Sequence, residues 1–152
     1  MPVGKGPLNY TTTIEATKSA SECIARLAQH GASAIGITYD NFKPSGLQFV
    51  ITTPYGPRTF ALPVNVRGTH KALQEGYRRG HVPNRYTSLE QAERVAWRVL
   101  KDWLEAQLAL IEAGVADMAQ VMLPYMQGDD GLTVWQRYLE REQTAIEPGR
   151  DA

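Results

Sequence analysis

The stretch Ile35-Gly36-Ile37-Thr38-Tyr39-Asp40-Asn41-Phe42-Lys43-Pro44-Ser45-Gly46-Leu47-Gln48-Phe49-Val50-Ile51 decides the fold. Apolar residues fall on alternate positions, first at Ile35, Ile37 and Tyr39 and again at Leu47, Phe49 and Ile51. A period of two marks a strand with one buried face. Lys43-Pro44-Ser45-Gly46 reads as the turn between these strands. Pro54-Tyr55-Gly56-Pro57 reads as a second turn, leading into Phe60, Leu62 and Val64. Three strands joined by tight turns form an antiparallel meander. Its buried face should carry Leu47, Phe49, Ile51, Phe60 and Leu62.

Upstream, Tyr10, Thr12, Ile14 and Ala16 also alternate, which predicts a strand over 10–17. Ser19-x-x-Glu22 fits a capping box, and Ala20, Cys23, Ile24, Leu27 and Ala28 follow at helical spacing up to Gly31. The expected fold is therefore α+β: a four-stranded, mostly antiparallel sheet in the order β-α-β-β-β. The Gly- and Pro-rich residues 1–9 read as a flexible arm.

Downstream, the pattern turns helical. Thr69–Arg79 predicts a short helix carrying Leu73 and Tyr77. Thr87-x-x-Glu90 and Ser88-x-x-Gln91 offer two overlapping caps for a long helix over 89–113. Its apolar positions, Ala92, Ala96, Val99, Trp103, Ala106 and Leu110 with Leu100, Leu104, Leu108 and Ile111, make a broad stripe. Such a helix is ~38 Å long at 1.5 Å per residue, against ~20 Å for an ordinary strand. It should overhang the sheet, with Val99 and Leu100 facing the strands. Short helices over 115–122 and 132–141 should follow, so that 10–143 forms one domain and 144–152 a disordered tail.

The 152 residues contain one cysteine, Cys23, so no intrachain disulfide exists. The N-terminal residues lack an apolar signal core, and no uncharged apolar run approaches the ~18 residues of a membrane span. A cytoplasmic protein with no membrane partner is expected.

Catalysis finds little support. His30, His70 and His81 stand apart from other ligand types at metal spacing, and neither H-E-x-x-H nor C-x-x-C occurs. Cys23 lies on the apolar face of its helix, where a small hydrophobe fits better than a nucleophile. No phosphate loop is present. The expectation is a non-enzymatic protein with no catalytic residue, metal or cofactor.

Charge is unevenly placed. Residues 67–101 carry a net charge of +5 and residues 102–152 a net charge of −7. Arg67, Lys71, Arg78, Arg79 and Arg85 precede the long helix, with Tyr77 and Tyr86 among them. Arg94, Arg98 and Lys101 follow at i, i+4, i+7, on one face of that helix. Guanidinium groups beside tyrosines suit a single-stranded nucleic acid, with charge for phosphates and rings for bases. The candidate nucleic-acid site is Arg67, Lys71, Arg78, Arg79, Arg85, Tyr86, Arg94, Arg98 and Lys101. The plainer alternative is a solvated face neutralised by Glu90, Glu93 and Glu105. The stripe on helix 89–113 is broader and longer than one four-stranded sheet can cover, so a homo-oligomer, at least a dimer, is expected. The apolar helical half, with Trp97, Trp103 and Trp135, supports two further readings: an adaptor or inhibitor docking on a host or phage protein, and a self-assembling component.

The run Ala96-Trp97-Arg98-x-x-Lys101-Asp102-Trp103-x-Glu105-Ala106-Gln107-Leu108-Ala109-Leu110-Ile111-Glu112, with Tyr10-Thr11-Thr12-Thr13-Ile14, His30-Gly31-Ala32, Tyr39-Asp40, Leu62-Pro63-Val64 and Leu123-Pro124-Tyr125, resembles a family of small phage and prophage proteins. The resemblance covers about residues 10–126. It implies a phage-type setting in the host cytoplasm, and it carries over no activity and no site residue. A looser likeness, of topology alone, is to the single-strand annealing fold, where a three-strand meander runs into a long helix.

Overall fold

The computed structural model describes residues 6–146. Helix α1 (Ala16–Gln29) leads into strands β1 (Ala34–Asp40), β2 (Lys43–Thr53) and β3 (Gly56–Pro63), followed by α2 (Val66–Arg78) and α3 (Leu89–Glu112). A short α4 (Met118–Met122) and the C-terminal α5 (Val134–Ile146) complete the order. The fold is α+β, with a three-stranded antiparallel sheet in the order β1-β2-β3.

The meander forms as its alternation dictates. Ile35 pairs with Phe49 and Ile37 with Leu47, while Phe49 pairs with Phe60 and Leu47 with Leu62. One face thus gathers Ile35, Ile37, Leu47, Phe49, Phe60 and Leu62, and Phe49 stacks on Phe60 at 5.3 Å between ring centres. Leu47, Phe49, Ile51, Phe60 and Leu62 are all buried, joined by Ala20, Cys23 and Leu27 of α1, Trp97, Leu104 and Leu108 of α3, and Met122 of α4. Burial of this set is the main stabilising term. A second cluster, Leu73, Val82, Ala92 and Val95, seats α2 on the first half of α3 and covers part of the overhang.

Four expectations are corrected. Residues 10–17 form no strand, because their carbonyls find partners elsewhere. Gln91 Nε2 of α3 donates to the Tyr10 and Thr12 carbonyls at 2.8 and 2.9 Å, and Ile14 N–H donates to Thr12 Oγ1. Tyr10 and Thr12 N–H donate to the Pro7 and Asn9 carbonyls, so the segment is held by turns and by Gln91 rather than by a ladder. Ser19 caps nothing; α1 starts at Ala16, and Ser19 is buried inside it. The first hairpin turns at Asn41-Phe42 rather than at 43–46, since Asp40 already pairs with Lys43. Pro44 then sits in the central strand, beyond the Gly46–Pro63 end of the β2–β3 ladder, and Trp97 Nε1 donates to its carbonyl at 3.0 Å.

The fourth correction is rotational. Under the sheet α3 presents Trp97, Leu104 and Leu108, with half-buried Leu100 packed at the rim of the same core, whereas Val99 packs against the second cluster. The helix boundaries otherwise follow their caps. Ser88 Oγ accepts from Gln91 N–H at 3.1 Å, and Asn65 Oδ1 accepts from Gly68 N–H at 2.8 Å, starting α2 earlier than expected. Helix α5 takes in residues 144–146 of the expected tail. Residues 6–9 of the expected arm lie in turns, with Asn9 Nδ2 donating to Asp102 Oδ2 at 2.7 Å. The rest of that arm (1–5) and tail (147–152) lie outside the described residues.

Candidate nucleic-acid interface

The nine candidate residues fall on α2 and its end (Arg67, Lys71, Arg78, Arg79), on the turn that follows (Arg85, Tyr86) and on α3 (Arg94, Arg98, Lys101), and the two helices meet opposite fates. On α3, Arg94, Arg98 and Lys101 do share a face, and that face meets α1. Arg98 Nη1 donates to Glu22 Oε2 at 3.0 Å and to Ser19 Oγ at 3.3 Å. Lys101 Nζ lies 3.6 Å from Glu22 and 3.0 Å from Glu105, and Arg94 Nη1 lies 3.6 Å from Glu15. The side chains of Arg98 and Lys101 are only 16% and 14% exposed. These three cations are an internal seam and are removed from the candidate surface.

Helix α2 supplies the surface instead. Arg67, Lys71, Gln74 and Arg78 recur at i, i+4, i+7, i+11, and all four are exposed. The row extends ~16 Å along the helix. It continues the basic reading on a different helix, and Gln74 is the member that sequence reasoning missed. The same spacing rule applied to α3 was available for α2 as well. Glu75 lies beside the row and pairs with Arg78 and, at 3.1 Å, with Arg79. Neither Arg67 nor Lys71 has an ion-pair partner among the described residues.

Arg85 and Tyr86 sit on a single 3₁₀ turn, Asn84–Tyr86, between α2 and α3. The Arg85 guanidinium lies 4.7 Å from the centre of the Tyr86 ring. Tyr86 itself is half-buried, with its edge against Tyr10 at 5.6 Å, so its ring serves the second cluster rather than an outside ligand. Tyr77, which the sequence grouped with it, is the half-exposed tyrosine of the pair.

An open apolar groove of about 600 Å³ runs between α2 and α3, lined among others by Leu8, Ala72, Val99, Leu100, Trp103 and Tyr125. Leu62 and Pro63 of β3 close one side of it, and no titratable group lines it except Tyr125. Cys23 is buried, and desolvation, followed by the charge of Glu22, pushes its thiol up to about 12, away from any nucleophilic role. Among the described residues no three His, Cys, Asp or Glu side chains gather as a metal would need, and no helix is long and apolar enough to cross a membrane. Comparison with protein-family models, with curated proteins and with solved structures gives no match.

Proposed function

We propose that this is a non-enzymatic accessory protein of phage type that binds single-stranded nucleic acid along α2. The exposed row Arg67, Lys71, Gln74 and Arg78 carries the reading. Arg79 and Arg85 extend it, and between residues 67 and 89 Glu75 is the sole carboxylate opposing them. Backbone phosphates supply most of the affinity in such complexes, and they require cations that the fold has left unspent. Arg67 and Lys71 meet that requirement, and Arg94, Arg98 and Lys101 do not. Fluorescence anisotropy of labelled DNA and RNA oligonucleotides across a salt series tests it. Replacing Arg67, Lys71 and Arg78 together by alanine should abolish binding and leave the fold intact. Failure of the native protein to bind at about 50 mM salt would remove the proposal.

Self-association, or docking on a host or phage protein, is the second reading, and α5 favours it. None of its thirteen residues is buried, while Trp135 and Tyr138 are 51% and 50% exposed and stack on each other. A helix that short is marginal by itself in water. A partner covering Trp135, Tyr138 and Leu139 would hold it.

A further inference from the structure

The tip of the first hairpin carries an aromatic residue that the fold does not use. Asp40 pairs with Lys43, leaving Asn41-Phe42 as a two-residue loop with φ of 52° and 66°. Two positive φ values define the turn type whose twist suits a hairpin, and it favours asparagine first and glycine second. Asn41 fits that preference. Phe42 stands where glycine belongs, in a left-handed conformation that a bulky side chain rarely adopts. Its side chain gains nothing in return, because the residue is 97% exposed. Strain kept at a site with no packing reward points to use outside the fold.

Its position says what that use is. Asn41 and Lys43, the neighbours of Phe42, line one cleft of about 470 Å³ with Asn65, Val66 and Arg67. Arg67 is the first member of the α2 row, so an exposed ring stands at the head of a line of cations. Lys43 is engaged by Glu93 at 2.9 Å, and Asp40 is also in the cleft. Those carboxylates repel phosphate from the cleft itself. A strand following α2 would therefore keep its backbone on Arg67, Lys71 and Arg78 and turn a base toward the hairpin tip.

We infer that Phe42 is the base-stacking residue of this surface, and that its ligand class is single-stranded nucleic acid. The inference rests on α2 being the phosphate track. In a duplex each base is already covered by its neighbours, so a ring on a narrow hairpin finds an open π-face only on an unpaired base. The ring supplies contact area without charge, and the row supplies charge without reading bases.

The test compares native protein, Phe42→Gly and Phe42→Tyr on a labelled oligothymidylate of about 15 nucleotides and on an abasic strand of equal length. Phe42→Gly should weaken oligothymidylate binding about 5- to 150-fold, leave the salt slope unchanged and keep or raise the melting temperature, since glycine relaxes the turn. Phe42→Tyr should bind like the native protein. The native preference for oligothymidylate over the abasic strand should vanish in Phe42→Gly. If Phe42→Gly binds normally while Arg67→Ala/Lys71→Ala does not, Phe42 is overturned and the α2 reading stands. If the native protein binds no strand at all, both fall. Equal affinity for duplex overturns the single-strand class, and unfolding of Phe42→Gly would make Phe42 structural.

Discussion

Arg98 of α3 donates to Glu22 of α1 at 3.0 Å, in the middle of a seam of matched rows. On α1 the row is Glu15, Ser19, Glu22 and Arg26. On α3 it is Arg94, Arg98, Lys101 and, further on, Glu112. Glu15 meets Arg94 at one end, and Arg26 and His30 meet Glu112 at the other, so the two helices run parallel. The seam is worth more than surface ion pairs because Arg98 and Lys101 are mostly withdrawn from water.

Arg98→Ala should therefore destabilise the fold by about 1–3 kcal/mol, since it strips partners from Glu22 and from buried Ser19. Arg78→Ala, on the exposed row, should change stability by less than about 0.5 kcal/mol. Urea denaturation of both variants checks the contrast. Equal midpoints would return Arg98 to the surface.

The rotation of α3 sets a second contrast. Leu104→Ala and Leu108→Ala remove fully buried groups beneath the sheet and should cost about 2–5 kcal/mol each. Leu100→Ala, at the wall of the open groove, should cost about 1 kcal/mol, because partial burial leaves less area to lose. Chemical denaturation of the three variants gives the order directly.

Counterion release separates the two basic rows. If α2 is the phosphate track, removing Arg67 and Lys71 should flatten the plot of log K against log[salt] by about 1.4, or 0.7 per phosphate contact on a single strand. Arg94→Ala should leave the slope as it is, because Arg94 spends its charge on Glu15. Anisotropy titrations from about 50 to 200 mM salt measure both.

Helix α5 predicts concentration-dependent association. Sedimentation equilibrium in the micromolar range should show a species heavier than the 16.9 kDa chain, and Trp135→Ala with Leu139→Ala should return it to monomer. A native monomer at every concentration would assign the α5 face to a different protein.

Cys23 should resist alkylation in the native protein at pH 8 and react only on unfolding, which a denaturant-pulsed labelling experiment reads. Its thiol shifts from 9.0 to about 12 on folding, chiefly by desolvation. The folded state thus holds its proton where the unfolded chain would release it. The thiol's contribution is fully present below about pH 9 and is lost as pH rises from there toward 12.

The meander and the helical half were legible because side-chain period is a local property. Ile35 to Leu62 alternate at steps of two, and Ser88 begins a helix with its own hydroxyl. Residues 10–17 alternate just as well, yet alternation names no pairing partner. A strand exists only where a neighbouring ladder accepts its hydrogen bonds, and here Gln91, eighty residues away, takes the carbonyls instead.

The sequence by itself determined the α+β class, the three-strand meander with its buried face, and a run of cations over 67–101 that includes one row at helical spacing on the long helix. Tertiary structure decided which of these cations remain in water. A helix of 24 residues carries several arcs side by side, and local spacing ranks none of them. The carboxylates of α1 drew Arg94, Arg98 and Lys101 inward, because charges leaving water need partners at hydrogen-bond distance. The row on α2 met no facing helix and kept its charge toward solvent.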